Sequence, residues 1–212
     1  MRILVTGFDP FDGEEINPAR EAVFALPDEI AGAAIIKAEV PTEFMQSTIL
    51  MRELIAQHSP DIVLCVGQAG GISGLNAERV AINLQDARIP DNAGYAPLDA
   101  PVIADGPAAY FATLPVKAMV RAAREAGLSA QVSYSAGTFV CNHLMYVTLH
   151  ELRERPDTRA GFVHIPYLPE QVAKRPGVPA MPLAETVRGL SEMISAAVGL
   201  EKDLEVSEGT LN

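Results

Sequence analysis

Along the chain, short apolar runs alternate with longer stretches in which apolar residues return every three or four positions. The short runs, residues 3–8, 34–40, 62–66, 80–84, 130–135 and 161–165, have strand length. The periodic stretches lie near residues 18–25, 42–58, 114–126, 140–154 and 183–198 and predict helices. Within the second of these, Leu50 and Leu54, flanked by Met51 and Ile55, mark the apolar face of a half-buried helix. Thr42 and Glu43 after Pro41 predict its start, and Gly127 after Ala126 predicts a C-terminal cap for the third helix. Strand and helix in alternation imply βα units: an α/β fold with a mostly parallel central sheet and helices on both faces. In such sheets a site forms beyond the carboxyl ends of the strands.

The 212 residues show no repeat, low-complexity tract or linker. A single catalytic domain over residues 1–200 is therefore expected, followed by an acidic, flexible tail at 201–212. No stretch approaches the roughly 18 apolar residues of a membrane helix, and Met1–Phe8 lacks the pattern of a signal peptide. A soluble, cytoplasmic protein is expected. The net charge of −11 comes without any basic run or stripe, which argues against nucleic-acid or anionic-membrane partners. The two cysteines, Cys65 and Cys141, make no disulfide framework and no C-x-x-C redox motif.

Four strand ends carry unusual loops: residues 7–13 (GFDPFDG), 67–71 (GQAGG), 137–141 (GTFVC) and 164–167 (HIPY). None of the glycine-rich pieces has the spacing of a phosphate cradle, and no lysine follows them, so they read as turns. Cys141 opens the helix that runs on through Asn142, Leu144 and Val147. A thiol there faces the positive end of the helix dipole and unpaired backbone N–H groups, which favour the thiolate and could receive an oxyanion. The other reading of Cys141 is a small buried hydrophobe, which is how Cys65 within the apolar run 62–66 is read.

A thiolate nucleophile needs a base. His58 sits at a helix end, and His143 points well away from Cys141 two residues earlier. His143 and His150 share a helix face at a spacing that suits a metal pair, but no carboxylate or third ligand accompanies them. His164 ends a strand at the carboxyl edge and is the best candidate. Glu78, on the apolar face of a strand expected to continue through Val80, Ile82 and Leu84, could orient the imidazole or could be an exposed strand start.

These segments together resemble the type I pyroglutamyl (pyrrolidone-carboxylate) peptidases. Residues 7–13 with Asn17-Pro18 resemble the family's N-terminal signature, and residues 78–83 with 86–92 resemble its glutamate segment. Residues 135–143 (SAGTFVCNH) resemble the cysteine signature, and His164–Tyr167 with Pro169-Glu170-Gln171 the histidine segment. The likeness spans residue 1 to about 198. It implies a single α/β/α sandwich without cofactor or metal, commonly a homotetramer, that removes N-terminal 5-oxoproline from pyroglutamylated peptides. It implies Cys141 as nucleophile, His164 as general base and acid, and Glu78 as orienter. Arg88 and the Cys141 N–H would form the oxyanion site, and Phe8, Phe11, Gln68, Ile89, Phe139 and Val140 would line the pyroglutamyl pocket. The chain departs from the family pattern at Ile72, where Arg is usual, and at Ala96-Pro97, where Gln-Pro is usual. With the same triad, another small lactam or amide could be the substrate, or a catalytically silent oligomer could retain the pocket for binding.

Overall fold

The computed structural model describes residues 1–209. In chain order the elements are β1 (Arg2–Phe8), α1 (Pro18–Ala25), β2 (Glu29–Ile30), β3 (Ala33–Val40), α2 (Phe44–His58), β4 (Ile62–Gln68), β5 (Leu75–Glu78) and β6 (Val80–Ile82). They continue with β7 (Ala109–Phe111), α3 (Val116–Glu125), β8 (Ala130–Ser133), α4 (Val140–Leu152), β9 (Arg159–Ile165) and α5 (Leu183–Gly199). Seven strands form one sheet in the order β2-β3-β1-β4-β9-β5-β8. β3, β1, β4 and β9 run parallel, whereas β2 is antiparallel to β3, β5 is antiparallel to β9, and β8 is parallel to β5. α1, α3 and α5 pack together as one helix layer, and α2 packs on α4 as the other, giving the expected α/β/α arrangement.

The central strands explain themselves. Ile3–Phe8 and Ile62–Gly67 are buried throughout, as strands covered by helices on both faces must be. α4 is also apolar on nearly every side and lies inside the molecule, against β9, β4 and β6. All five predicted helices are present. Asn17 caps α1 by accepting from the Ala19 N–H, with Pro18 at the first helical position, and Gly127 closes α3 at φ +79°.

Three expectations change. The strand expected over 80–84 is split: Glu78 ends β5 in the main sheet, and the chain then leaves it to pair β6 with β7 in a separate two-stranded sheet. Glu78 therefore does not share a strand with Val80, Ile82 and Leu84. Second, α2 starts at Phe44 rather than Thr42; its first N–H donates to Asp91 Oδ2 at 3.0 Å, a carboxylate 47 positions away. Third, β2, β5 and β7 are too short for periodicity to reveal.

The segment expected to be a flexible tail has specific partners over its described part. Asp203 Oδ1 accepts from the Lys117 and Ala118 N–H groups at 3.1 and 3.0 Å, supplying the cap that Pro115 cannot give α3. Glu208 pairs with Arg124 at 2.9 Å. Residues 210–212 lie outside the described residues.

Candidate active site

Phe8, Gln68 and His164 stand at the carboxyl ends of the parallel neighbours β1, β4 and β9, where a site belongs in such a sheet. Cys141 reaches the same edge by another route. β8, the strand before it, runs opposite to β9, so its carboxyl end points away from His164. Residues 134–139 return the chain and deliver Cys141 into the first turn of α4. The thiol then settles over β4 because Gly67, the register partner of His164, has no side chain. A Cβ at position 67 would lie 2.9 Å from Cys141 Sγ and 2.7 Å from Phe162 Cζ.

Glu78 and His164 meet on the adjacent strands. Glu78 is 1% exposed and its Oε1 lies 2.8 Å from His164 Nδ1, which gives the carboxylate the partner that burial demands. The imidazole also makes a tilted contact with the Phe162 ring, 4.7 Å between centroids. Burial alone would lower its pKa. The negative charge of the Cys141 sulfur on one side and of Glu78 on the other outweigh burial and raise it from 6.5 to about 10. Among the described residues, the ring's only hydrogen bond of ordinary geometry is the one to Glu78. Burial pushes the Cys65 thiol the other way from usefulness, up to about 11.

Beside the thiol is a cavity of about 140 Å³. Phe8, Phe11, Phe139 and Ala136 form its apolar wall, and Asn17, Thr42 and Gln68 its polar one; Cys141 and His164 complete it. Among the described residues no carboxylate lines it. Phe139 is held by an edge-on contact with Phe44 and a tilted one with Phe11, at 5.5 and 6.2 Å. Asn17 and Thr42 both donate to the Asp9 carbonyl, at 2.8 and 3.1 Å, so their side chains are committed to the loop after β1. Gln68 Oε1 accepts from Gln171 Nε2 at 3.1 Å, and among the described residues its own amide N–H₂ has no hydrogen-bond partner.

Cys141, His164 and Glu78 come together, and Phe8, Phe11, Gln68 and Phe139 line the cavity. Val140 is fully buried at the start of α4, and neither it nor Ile89 nor the exposed Arg88 is in the cavity wall. Thr42, Asn17 and Ala136 do line it. The sequence marked Thr42 as a helix start and Asn17 only as part of the N-terminal signature, and no signal pointed to Ala136. His143 is buried, with Nε2 2.7 Å from Thr48 Oγ1, and desolvation lowers its pKa to about 4. Among the described residues no group of three or more His, Cys, Asp or Glu side chains could hold a metal ion.

A model of the pyroglutamyl peptidase family matches residues 1–199. The pyrrolidone-carboxylate peptidase of Levilactobacillus brevis is 56% identical over 93% of this chain and 98% of that protein. Its counterpart in Alkaliphilus oremlandii is 50% identical over the full length of both. Among solved structures, pyroglutamyl peptidase I from Bacillus amyloliquefaciens superposes with a TM-score of 0.94 at 45% identity, covering 97% of this chain and 99% of that one. The pyrrolidone carboxyl peptidase of Thermococcus litoralis gives a TM-score of 0.94 at 34% identity, with the same coverage.

Proposed function

The chain belongs to the pyroglutamyl peptidase family and removes N-terminal pyroglutamate from peptides; from that premise we propose that Cys141 is its nucleophile, His164 its general acid and base, and Glu78 the group that orients His164. The observation that carries this reading is the convergence of a thiol and a buried Glu78–His164 pair on a neutral, aromatic cavity. An imidazolium facing the sulfur favours the thiolate. The thiolate attacks the scissile carbonyl carbon, and the C=O electron pair moves onto oxygen. Phe139, at the N-cap of α4, offers no side-chain acceptor, so first-turn N–H groups stay available to that oxygen. Arg88, on the segment that Thr138 Oγ1 ties through the Asp86 carbonyl at 2.7 Å, is the second donor proposed.

Collapse of the tetrahedral adduct expels the peptide amine, which takes the His164 Nε2 proton, and leaves a thioester on Cys141. His164, now neutral, takes a proton from water as the water adds to the thioester. The thiolate departs, free 5-oxoproline is released, and Glu78 holds the Nδ1 proton throughout. In the cavity the Phe8, Phe11 and Phe139 faces cover the flat lactam ring, and the Gln68 amide donates to its carbonyl.

No helix among the described residues is long and apolar enough to cross a membrane. A cytoplasmic location and a homotetramer complete the proposal, and exposed Phe24, Met45, Ile49 and Phe111 supply apolar surface for subunit contacts. The test is release of a chromophore from a pyroglutamyl amide. The parent should turn it over and Cys141→Ala, still folded, should not. Turnover by Cys141→Ala equal to the parent would overturn the nucleophile assignment.

A further inference from the structure

The residue after the candidate nucleophile, Asn142, is fully buried, and its three side-chain hydrogen bonds all go to one backbone segment. Its Oδ1 accepts from the Ile82 N–H at 2.9 Å, and its Nδ2 donates to the Ile82 and Leu84 carbonyls at 2.9 and 3.0 Å. Next to it, the Asp86 N–H donates to the Thr138 carbonyl at 3.1 Å, and Thr138 Oγ1 donates back to the Asp86 carbonyl at 2.7 Å. These bonds staple the 138–142 turn to residues 82–86 along its side.

The side attachment matters because the usual attachment is missing. A helix start is ordinarily held by a Ser, Thr, Asp or Asn side chain bonded to its first N–H groups. At α4 that cap would occupy the amides that must receive the oxyanion, and Phe139 stands there instead. An uncapped first turn frays unless it is held elsewhere. We propose that Asn142 is a positioning residue: its clamp on Ile82 and Leu84 fixes the first turn of α4 so that the Cys141 N–H is aligned for the oxyanion while the helix N-terminus stays open to substrate. This rests on the assignment of Cys141 as nucleophile.

The two duties of Cys141 respond differently to a loosened turn. Attraction between thiolate and imidazolium falls off gently with distance, whereas a hydrogen bond to an oxyanion weakens steeply as its geometry degrades. Asn142→Ser, which removes the clamp, should lower kcat by about 30- to 100-fold, part of the loss typical of deleting an oxyanion donor. KM and the rate of Cys141 alkylation by iodoacetamide, which forms no oxyanion, should stay within about threefold of the parent across pH 6–9. Thr138→Val, removing the neighbouring staple without disturbing the core, should show the same split at about 3- to 10-fold, and it decides the matter if Asn142→Ser does not fold. Equal losses of turnover and alkylation, or undiminished kcat in the folded variants, would overturn the positioning role. Full activity of Cys141→Ala would instead overturn the nucleophile assignment on which it rests.

Discussion

Glu78 Oε1 lies 2.8 Å from His164 Nδ1 across a diagonal of the β5–β9 pair: in register, His164 faces Asn76, and Glu78 faces Phe162. The carboxylate thus approaches the imidazole from two residues further along an antiparallel neighbour, within reach of long side chains on a sheet. Replacing it removes a hydrogen bond and a charge that both raise the His164 pKa. Glu78→Gln should lower kcat by about 10² or more, because an amide cannot stabilise the imidazolium. His164 must be protonated to release the amine, and in the parent it stays so until pH approaches about 10. Without the carboxylate it loses its proton at lower pH. The alkaline limb of kcat/KM should therefore move toward neutrality, and an unmoved limb with parental rates would remove Glu78 from the triad.

The two thiols should separate cleanly under brief alkylation at neutral pH. Cys65 is 0% exposed with its pKa pushed up to about 11, whereas Cys141 opens into the cavity beside an imidazolium. Mass spectrometry of briefly treated protein should find the label on Cys141 at least about 10²-fold in excess. Label on Cys65 in equal amount would contradict the assignment.

Gly67 provides a purely steric test. Its φ is not in the left-handed region, so alanine is allowed by the backbone, yet the new methyl would press on Cys141 Sγ and the Phe162 ring. Gly67→Ala should cost about 1–3 kcal/mol of stability in urea denaturation, as overpacking does. It should cost about 10²-fold or more in turnover, because a displacement near 1 Å breaks the reacting geometry. Parental kcat in this variant would show that the thiol does not work from its place over β4.

His143 should govern part of the acid sensitivity. Its folded pKa of about 4 lies below the ordinary 6.5, so the unfolded chain binds a proton between these values and the folded chain does not. Stability is then unaffected above pH 6.5 and falls as pH drops toward 4, by up to about 3 kcal/mol from this group. His143→Gln can keep a hydrogen bond to Thr48 and should flatten that slope in urea midpoints measured from pH 7 to 4. An unchanged slope would place the acid sensitivity elsewhere.

Substrate preference should follow from a cavity wall without a carboxylate. A prolyl terminus brings an ammonium that nothing there neutralises, and it leaves the Gln68 amide unpaired. Pyroglutamyl amides should be preferred over prolyl amides by at least about 10³ in kcat/KM. Phe11→Ala and Phe139→Ala should raise KM while leaving Cys141 alkylation intact. Comparable turnover of both amides would show that the cavity does not select the lactam.

How much of this could be read from the chain depends on the range of the forces involved. Five helices, the buried strands at 3–8 and 62–66, the capping role of Gly127, and the candidacy of Cys141 and His164 are written in local periodicity and turn chemistry. The motif likeness chose between the two readings of Glu78 and added the aromatic wall. Other features answer to partners far away in sequence. β5 exists because β8 and β9 flank it, not because four residues favour a strand. α2 begins where Asp91 can cap it. Cys141 meets His164 only because a loop reverses the outward course of β8 and Gly67 leaves room above β4. The clamp of Asn142 on Ile82 and Leu84 spans some 60 positions. Periodicity and capping act over a few residues and so are legible in the chain itself, whereas the register of distant strands and the space beside one glycine are decided only when the whole core packs.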